Sequence, residues 1–178
     1  LGGNNLTNDI AVGLRAPQAE AEKIKKKYGN CVARKISSEE TIEVPGMGGR
    51  ESRKLPRQIL GEILEPRMEE INTLVQREIY RAGMENMIPS GIVVTGGTAL
   101  LEGVTEVAES IFNLPVRLGK PQHIGGLVDV VNNPMYATGV GLVLYGAKNQ
   151  DSRKFRIRDK NIFNRVMTRM KRWFHDVV

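Results

Sequence analysis

Ile92-Val93-Val94-Thr95-Gly96-Gly97-Thr98-Ala99-Leu100-Leu101-Glu102-Gly103 is the stretch that decides the fold. Its first four residues are a continuous apolar run of β-branched character, the mark of a buried strand. Gly96-Gly97 is a turn, and Ala99 to Phe112 repeats its apolar residues as an amphipathic helix does. Val116-Arg117-Leu118 reads as another short strand. Strand, turn, helix and strand in that order predict an α/β layer with at least partly parallel strands. A Gly-Gly turn also lets the backbone approach a ligand without Cβ interference, and the helix after it offers free N–H groups. The pattern is neither the dinucleotide G-x-G-x-x-G nor a Walker loop ending in Lys-Ser/Thr. By itself it is a weak signal, and an ordinary tight turn is the commoner use of it.

Upstream, residues 1–16 read as a Gly/Asn turn followed by a short apolar segment at Ile10-Ala11-Val12. Pro17 suits the first turn of a helix, with Glu20 and Glu22 placed early to favour its dipole, Ala21, Ile24 and Tyr28 as its apolar stripe and Gly29 as its stop. Glu22 and Lys25 share one face of it, where they can bond a ribose or phosphate, or simply each other in solvent. Cys31 to Ile36 and Thr41 to Val44 alternate as two strands of a hairpin closed by Ser37-Ser38-Glu39-Glu40. Leu60, Ile63, Leu64, Met68, Ile71, Val75 and Ile79 mark one face of a helical block, which Pro66 is expected to split into two helices before Gly83 ends it. Arg50, Arg53, Lys54, Arg57 and Arg67 form a basic cluster there, either a groove for an acidic peptide or a solvated face. Downstream, a Gly/Asn-rich loop leads to Pro134, which opens a last helix through Tyr145.

Composition sets the outer limits. Of 178 residues, 40% are hydrophobic and 26% charged, the balance of a folded globular chain. The net charge of +6 is confined to residues 151–178, which hold nine Lys/Arg against three Asp/Glu; residues 1–150 are neutral. A nucleic-acid-binding fold carries its charge on the structured face, so this placement argues against nucleic acid. Cys31 is the lone cysteine, which rules out an internal disulfide and predicts a reducing compartment. No apolar run approaches the roughly 18 residues of a membrane span. His123 has no ligand-spaced partner, and no Ser/His/Asp or Cys/His set converges, so the sequence predicts neither a metal site nor a self-contained catalytic centre. A chain opening on Leu1 and running straight into Gly-Gly-Asn-Asn, without a signal-peptide pattern, reads as a piece of a longer protein.

The tail carries the sharpest periodicity. Stepping about 100° per residue, Ile162, Phe163, Val166, Met167, Met170, Trp173, Phe174, Val177 and Val178 fall within an arc of about 160°. Asn164, Arg165, Thr168, Arg169, Lys171, Arg172, His175 and Asp176 all fall outside it. A helix docked on its own domain is the commoner use of such a pattern. The charged linker before it, the cationic polar face of Arg169, Lys171 and Arg172, and the interfacial aromatics Trp173 and Phe174 favour an acidic membrane surface; a protein groove is the other reading.

Together these features resemble the C-terminal half of the FtsA family, bacterial actin-like cell-division proteins. The stretches that carry the resemblance are Gly2-Gly3 with Thr7-Asn8-Asp9-Ile10-Ala11 and Glu20 to Lys25; Leu64-Glu65-Pro66-Arg67; Ile92 to Gly103; and Gly126-Leu127 with Asn133 to Leu142, followed by the cationic tail. The resemblance implies an α/β fold: a partial actin/Hsp70-like (ribonuclease H-like) lobe with a small α+β outer subdomain and a C-terminal amphipathic helix. Residues 1–29 and 84–147 would be the nucleotide-binding lobe, 30–83 the outer subdomain, 148–160 a linker and 161–178 the membrane-targeting helix.

It implies ATP as cofactor, with Mg2+ in the intact protein, held at Gly96, Gly97, Thr98, Glu22 and Lys25. The C-terminal peptide of FtsZ would be received at Arg53, Lys54, Arg57 and Arg67, and Ile162, Phe163, Val166, Met167, Arg169, Met170, Lys171, Arg172, Trp173, Phe174 and Val177 would meet acidic phospholipid. The implied role is to tether FtsZ filaments to the cytoplasmic face of the membrane at the division site, with ATP-dependent self-association into actin-like filaments and contacts to other division proteins. Any ATPase would be weak in the intact form and absent from this part of it. The alternatives are a pilus-assembly actin homologue or a sugar-kinase-type enzyme of the same superfamily, neither of which needs the cationic tail.

Overall fold

The protein is described by a computed structural model covering residues 1–46, 48, 51–122, 124–125 and 131–149. Arg50, His123, Gly126-Leu127, most of the proposed linker and the whole amphipathic tail lie outside the described residues. Residues 1–140 form one compact body; Gly141 begins a second unit, of which 141–149 are described.

The chain opens with helix α1, Gly3–Gly13, where the sequence reading has a turn. Two glycines and two asparagines are poor helix formers. Burial overrides them, because Leu6, Ile10 and Leu14, four residues apart, project into the core. The Asn5 side chain accepts from Gly2 N at 3.0 Å and closes the first turn. Helix α2, Gln18–Tyr28, starts after Pro17 and stops at Gly29, as its sequence predicts.

The expected hairpin is paired differently. Ala33–Lys35 is a 3-10 turn, not a strand. Ala33 N donates to Glu65 Oε2 at 2.9 Å, and Ala33 lies so close to Gly61 that a Cβ there would sit 2.7 Å from Ala33 Cα. Strand β1, Thr41–Val44, therefore takes a downstream partner, β2, Arg53–Pro56, antiparallel with Ile42 opposite Leu55 and Val44 opposite Arg53. Helix α3, Gln58–Arg81, runs unbroken through Pro66. A proline inside a helix costs about 3 kcal/mol. Leu60, Leu64 and Met68 are buried on one stripe spanning the proline, and each buried side chain contributes about 2 kcal/mol, enough to keep the two halves aligned.

β3, Ile92–Val94, and β4, Val116–Leu118, are parallel, with Ile92 opposite Val116 and Val94 opposite Leu118, as the strand–turn–helix–strand pattern requires. Between them a 3-10 turn, Gly97–Leu100, precedes α4, Val104–Phe112, so the helix starts later than its apolar residues suggest. After a 3-10 turn at Pro134–Tyr136, α5 covers Ala137–Lys148. One hydrophobic core unites Leu6, Ile10 and Leu14 of α1 and its end with Ile24, Ile42, Val44, Leu60, Leu64, Val104 and Val107. Cys31 is fully buried in it, and burial together with Glu65 pushes its thiol up to about 12, a packing thiol.

Candidate functional site

Three segments distant in sequence meet at one cleft of about 750 Å³. The first turn of α1 supplies Gly2 to Asn5, α2 supplies Glu22, Lys25 and Lys26, and the loop after β3 supplies Gly97, Thr98, Leu100 and Leu101, with Met135 beside them. A cleft of this size suits a small-molecule ligand of several rings.

The α2 wall is built on a buried cation. Lys25 follows Ala21 and Ile24 on the inward face, and its side chain is only 7% exposed. Its ammonium reaches Gly3 O at 3.0 Å, Thr7 Oγ1 at 2.7 Å and Glu22 Oε2 at 2.6 Å. Three donors meet three acceptors, so Lys25 pins α1 to α2 and leaves no proton spare in this arrangement. Thr7 in turn donates to the Glu22 carboxylate, and Lys26, largely exposed, sits 3.2 Å from Glu22 Oε1. Partial burial pushes the Glu22 carboxyl up, but the bonds from Lys25, Thr7 and Lys26 outweigh it and bring it down to about 2.

Glu22 therefore faces the cleft as a carboxylate. Because its folded pKa lies below the ordinary 4.5, its stabilisation is complete above pH 4.5 and is lost as pH falls toward 2. In urea titrations the advantage of the wild type over Glu22→Gln should narrow through that window. A gap that stays constant from neutral pH down through it would remove Glu22 from the network.

The loop wall approaches the start of α1 closely: a Cβ at Gly3 would lie 2.6 Å from Thr98 Oγ1. Gly96, at φ +95°, turns the chain, and its N–H donates to Pro134 O at 3.1 Å, while Thr95 Oγ1 donates to Gly119 O at 2.9 Å. Next to Gly97, the nearest atom to a built Cβ is Met135 Cβ at 4.0 Å, so the backbone there is open to a ligand. Glu22, Lys25, Gly97 and Thr98 thus line one cleft, while Gly96 stands behind the lining. The sequence reading passed over Gly3, Thr7, Lys26 and Met135. Thr7 carries no signal in the sequence, because residues 1–16 read as a turn and a short apolar segment rather than as the helix that aims it, and Met135 carries none either.

The basic residues expected to receive a peptide share no common partner. The Arg53 guanidinium donates to Leu14 O. Arg67 holds Asp9 of α1 at 2.5 and 3.1 Å and also meets Glu70. Arg57 lies about 15 Å before Arg67 along the helix, against Tyr28 O, Glu40 and Glu102. Lys54, exposed across from Glu43, makes no ion pair among the described residues.

Comparison with known proteins places this architecture. The model of the family described as cell division protein FtsA matches residues 1–141. The cell division protein FtsA of Pseudomonas aeruginosa is 47% identical over 97% of this chain and 43% of its own length. Those of Escherichia coli K12 and Bacillus subtilis are 40% and 37% identical, over 83% and 84% of this chain. The chain spans less than half the length of these relatives, 37% and 32% for the last two. Among solved structures, MreB 5 of Spiroplasma citri bound to AMPPNP superposes with a TM-score of 0.66 at 21% identity, covering 85% of this chain and 45% of the other. That match shows the fold, a partial actin-like lobe. Identity sustained over nearly the whole chain, on a scaffold of that type, shows that the chain belongs to the FtsA family of cell division proteins.

Proposed function

We propose that this chain is the C-terminal part of a cell-division actin homologue that binds ATP in the cleft between α2 and the Gly96–Gly103 loop, polymerises in response, and tethers FtsZ to the cytoplasmic face of the membrane. The observation that carries the nucleotide reading is the convergence of Glu22, Lys25, Gly97 and Thr98 on one open cleft. The residues fit such a ligand. Gly97 leaves room for a nucleoside against the backbone, and Glu22, held ionised, offers acceptor oxygens to ribose hydroxyls. In the AMPPNP-bound MreB 5 a chain of the same fold carries an ATP analogue. ATP would supply binding energy that differs between its triphosphate and diphosphate forms, and this chain's residues would orient its nucleoside end. Among the described residues no three His, Cys, Asp or Glu side chains gather to hold a metal ion.

For the FtsZ peptide, residues 30–83 form the proposed receiving subdomain, with residues 1–29 and 84–147 as the nucleotide-binding lobe. Arg53, Arg57 and Arg67 are already engaged by protein acceptors, which leaves Lys54 as the cation most available to an acidic peptide. Lys54→Glu should weaken binding of an FtsZ C-terminal peptide about tenfold, a charge reversal being worth on the order of 1.4 kcal/mol at a partly exposed contact. The thermal midpoint should fall only slightly, by the few tenths of a kcal/mol that a second carboxylate opposite Glu43 costs at this exposed pair. Undiminished affinity, measured by fluorescence anisotropy, would take Lys54 out of the peptide site.

A further inference from the structure

Arg57 stands at the N-terminus of α3, outside the cleft, and joins three chain segments. Its Nε donates to Tyr28 O at 2.9 Å, at the end of the helix that carries Glu22 and Lys25. Its Nη2 reaches Glu102 Oε2 at 3.3 Å, at the end of the loop that carries Gly97 and Thr98. Its Nη1 donates to Glu40 Oε2 at 2.6 Å, and its backbone N–H donates to Glu40 O at 2.8 Å. The guanidinium side chain is 20% exposed. Arg57 next to Glu40 holds that carboxyl below its ordinary range. Glu102 is further fixed through its backbone, since Cys31 N donates to Glu102 O at 2.7 Å. Among the described residues, Arg57 is the one side chain hydrogen-bonded both to α2 and to the Gly96–Gly103 loop. A planar fork with donors in fixed directions sets distances as well as charge.

We propose that Arg57 is a positioning residue for the cleft: from the 30–83 segment it holds the α2 wall and the loop wall at the separation a nucleoside requires. The inference rests on the nucleotide reading above. Arg57 touches no ligand in this scheme; it acts through Tyr28 and Glu102, which are likewise outside the lining. Lys35 offers a matched contrast. Its 2.6 Å pair with Glu106 also ties the 30–83 segment to the rest of the body, yet bonds neither cleft wall.

The test is an NMR titration of the whole 178-residue chain with ATP, following the amides of Gly97 and Thr98. The wild type should show saturable shifts at both. Arg57→Ala should raise the dissociation constant about tenfold and Glu102→Ala about threefold, the range expected when reacting surfaces are displaced by less than 1 Å. Lys35→Ala, which also removes a tie from the 30–83 segment to the rest of the body, should leave the dissociation constant within about twofold; a loss of affinity as large as that of Arg57→Ala would overturn the positioning role. Should Arg57→Ala fail to fold, Glu102→Ala decides. If wild-type shifts saturate but Glu102→Ala and Arg57→Ala bind as the wild type does, the positioning role is overturned while the nucleotide reading stands. If the wild type shows no saturable shift at Gly97 or Thr98, the nucleotide reading is overturned, and the positioning role with it.

Discussion

Vesicles of acidic phospholipid should sediment the whole chain, and a version ending at Gln150 should remain in the supernatant. The difference comes from the tail, which holds all of the excess charge of +6. Arg165, Arg169, Lys171 and Arg172 line the polar side of the proposed helix. At about 1 kcal/mol for each basic residue near an anionic surface, they account for about 4 kcal/mol, close to a thousandfold in partitioning. Trp173, Phe174 and the aliphatic residues of the opposite face add interfacial burial, which salt does not screen. Raising the salt should therefore weaken sedimentation without abolishing it, and neutral vesicles should retain little of the chain. Among the described residues no helix is long and apolar enough to cross a membrane. Equal sedimentation of the two versions would end the tether model.

Gly91→Ala should be the most damaging single-atom-scale change in the body. Gly91 sits at φ +91°, and a Cβ there would press directly on the carbonyl oxygen of Pro115. That oxygen already accepts from Ile92 N at 2.9 Å, at the start of the β3–β4 pairing. The substituted backbone has to leave the left-handed region or push Pro115 away, and either course breaks the first rung of the parallel pair. A loss of about 3 kcal/mol is expected, near 10 °C in midpoint for a chain of this size. Gly83→Ala is the internal control: its φ is +64°, but nothing lies within 4 Å of the added carbon. It should lose only the left-handed backbone cost of about 1 kcal/mol. Equal losses at the two positions, read by circular dichroism melts, would show that the contact with Pro115 does not hold the strand pair.

The parts of the fold legible in the sequence are those where local pattern and tertiary packing agree. The strand at Ile92, the helix after Pro17 and its stop at Gly29, and the parallel pairing of β3 with β4 all follow from local runs, but β3 is not the buried strand its apolar run predicts: Ile92 and Val94 are half-buried and Val93 is exposed. The misreadings fall where packing outvotes propensity. α1 begins with Gly-Asn residues, and only Leu6, Ile10 and Leu14, taken four apart, reveal it. β2 contains Arg53, Lys54 and Pro56 around a single half-buried Leu55, so no alternation marks it, and the sequence pairs β1 with Cys31 to Ile36 instead. At the cleft, residue types pointed to Glu22, Lys25 and the Gly-Gly loop, but not to their wiring. The Glu22–Lys25 pair is encoded by its three-residue spacing, but the bonds from Lys25 to Gly3 and Thr7 span twenty-two and eighteen residues of chain, which no local spacing encodes.

Helix α3 has a mechanical meaning beyond its share of the core. Because it passes Pro66 without a break, its 24 residues form a single rod about 36 Å long, with Arg57 at one end and Arg81 at the other. A rod pivoting about its first turn magnifies whatever happens there: a tilt of about 5° moves the far end by about 3 Å over that length. A shift in the Tyr28–Arg57–Glu102 junction, too small to alter the core, would arrive at Arg81 as a displacement comparable to the width of an atom.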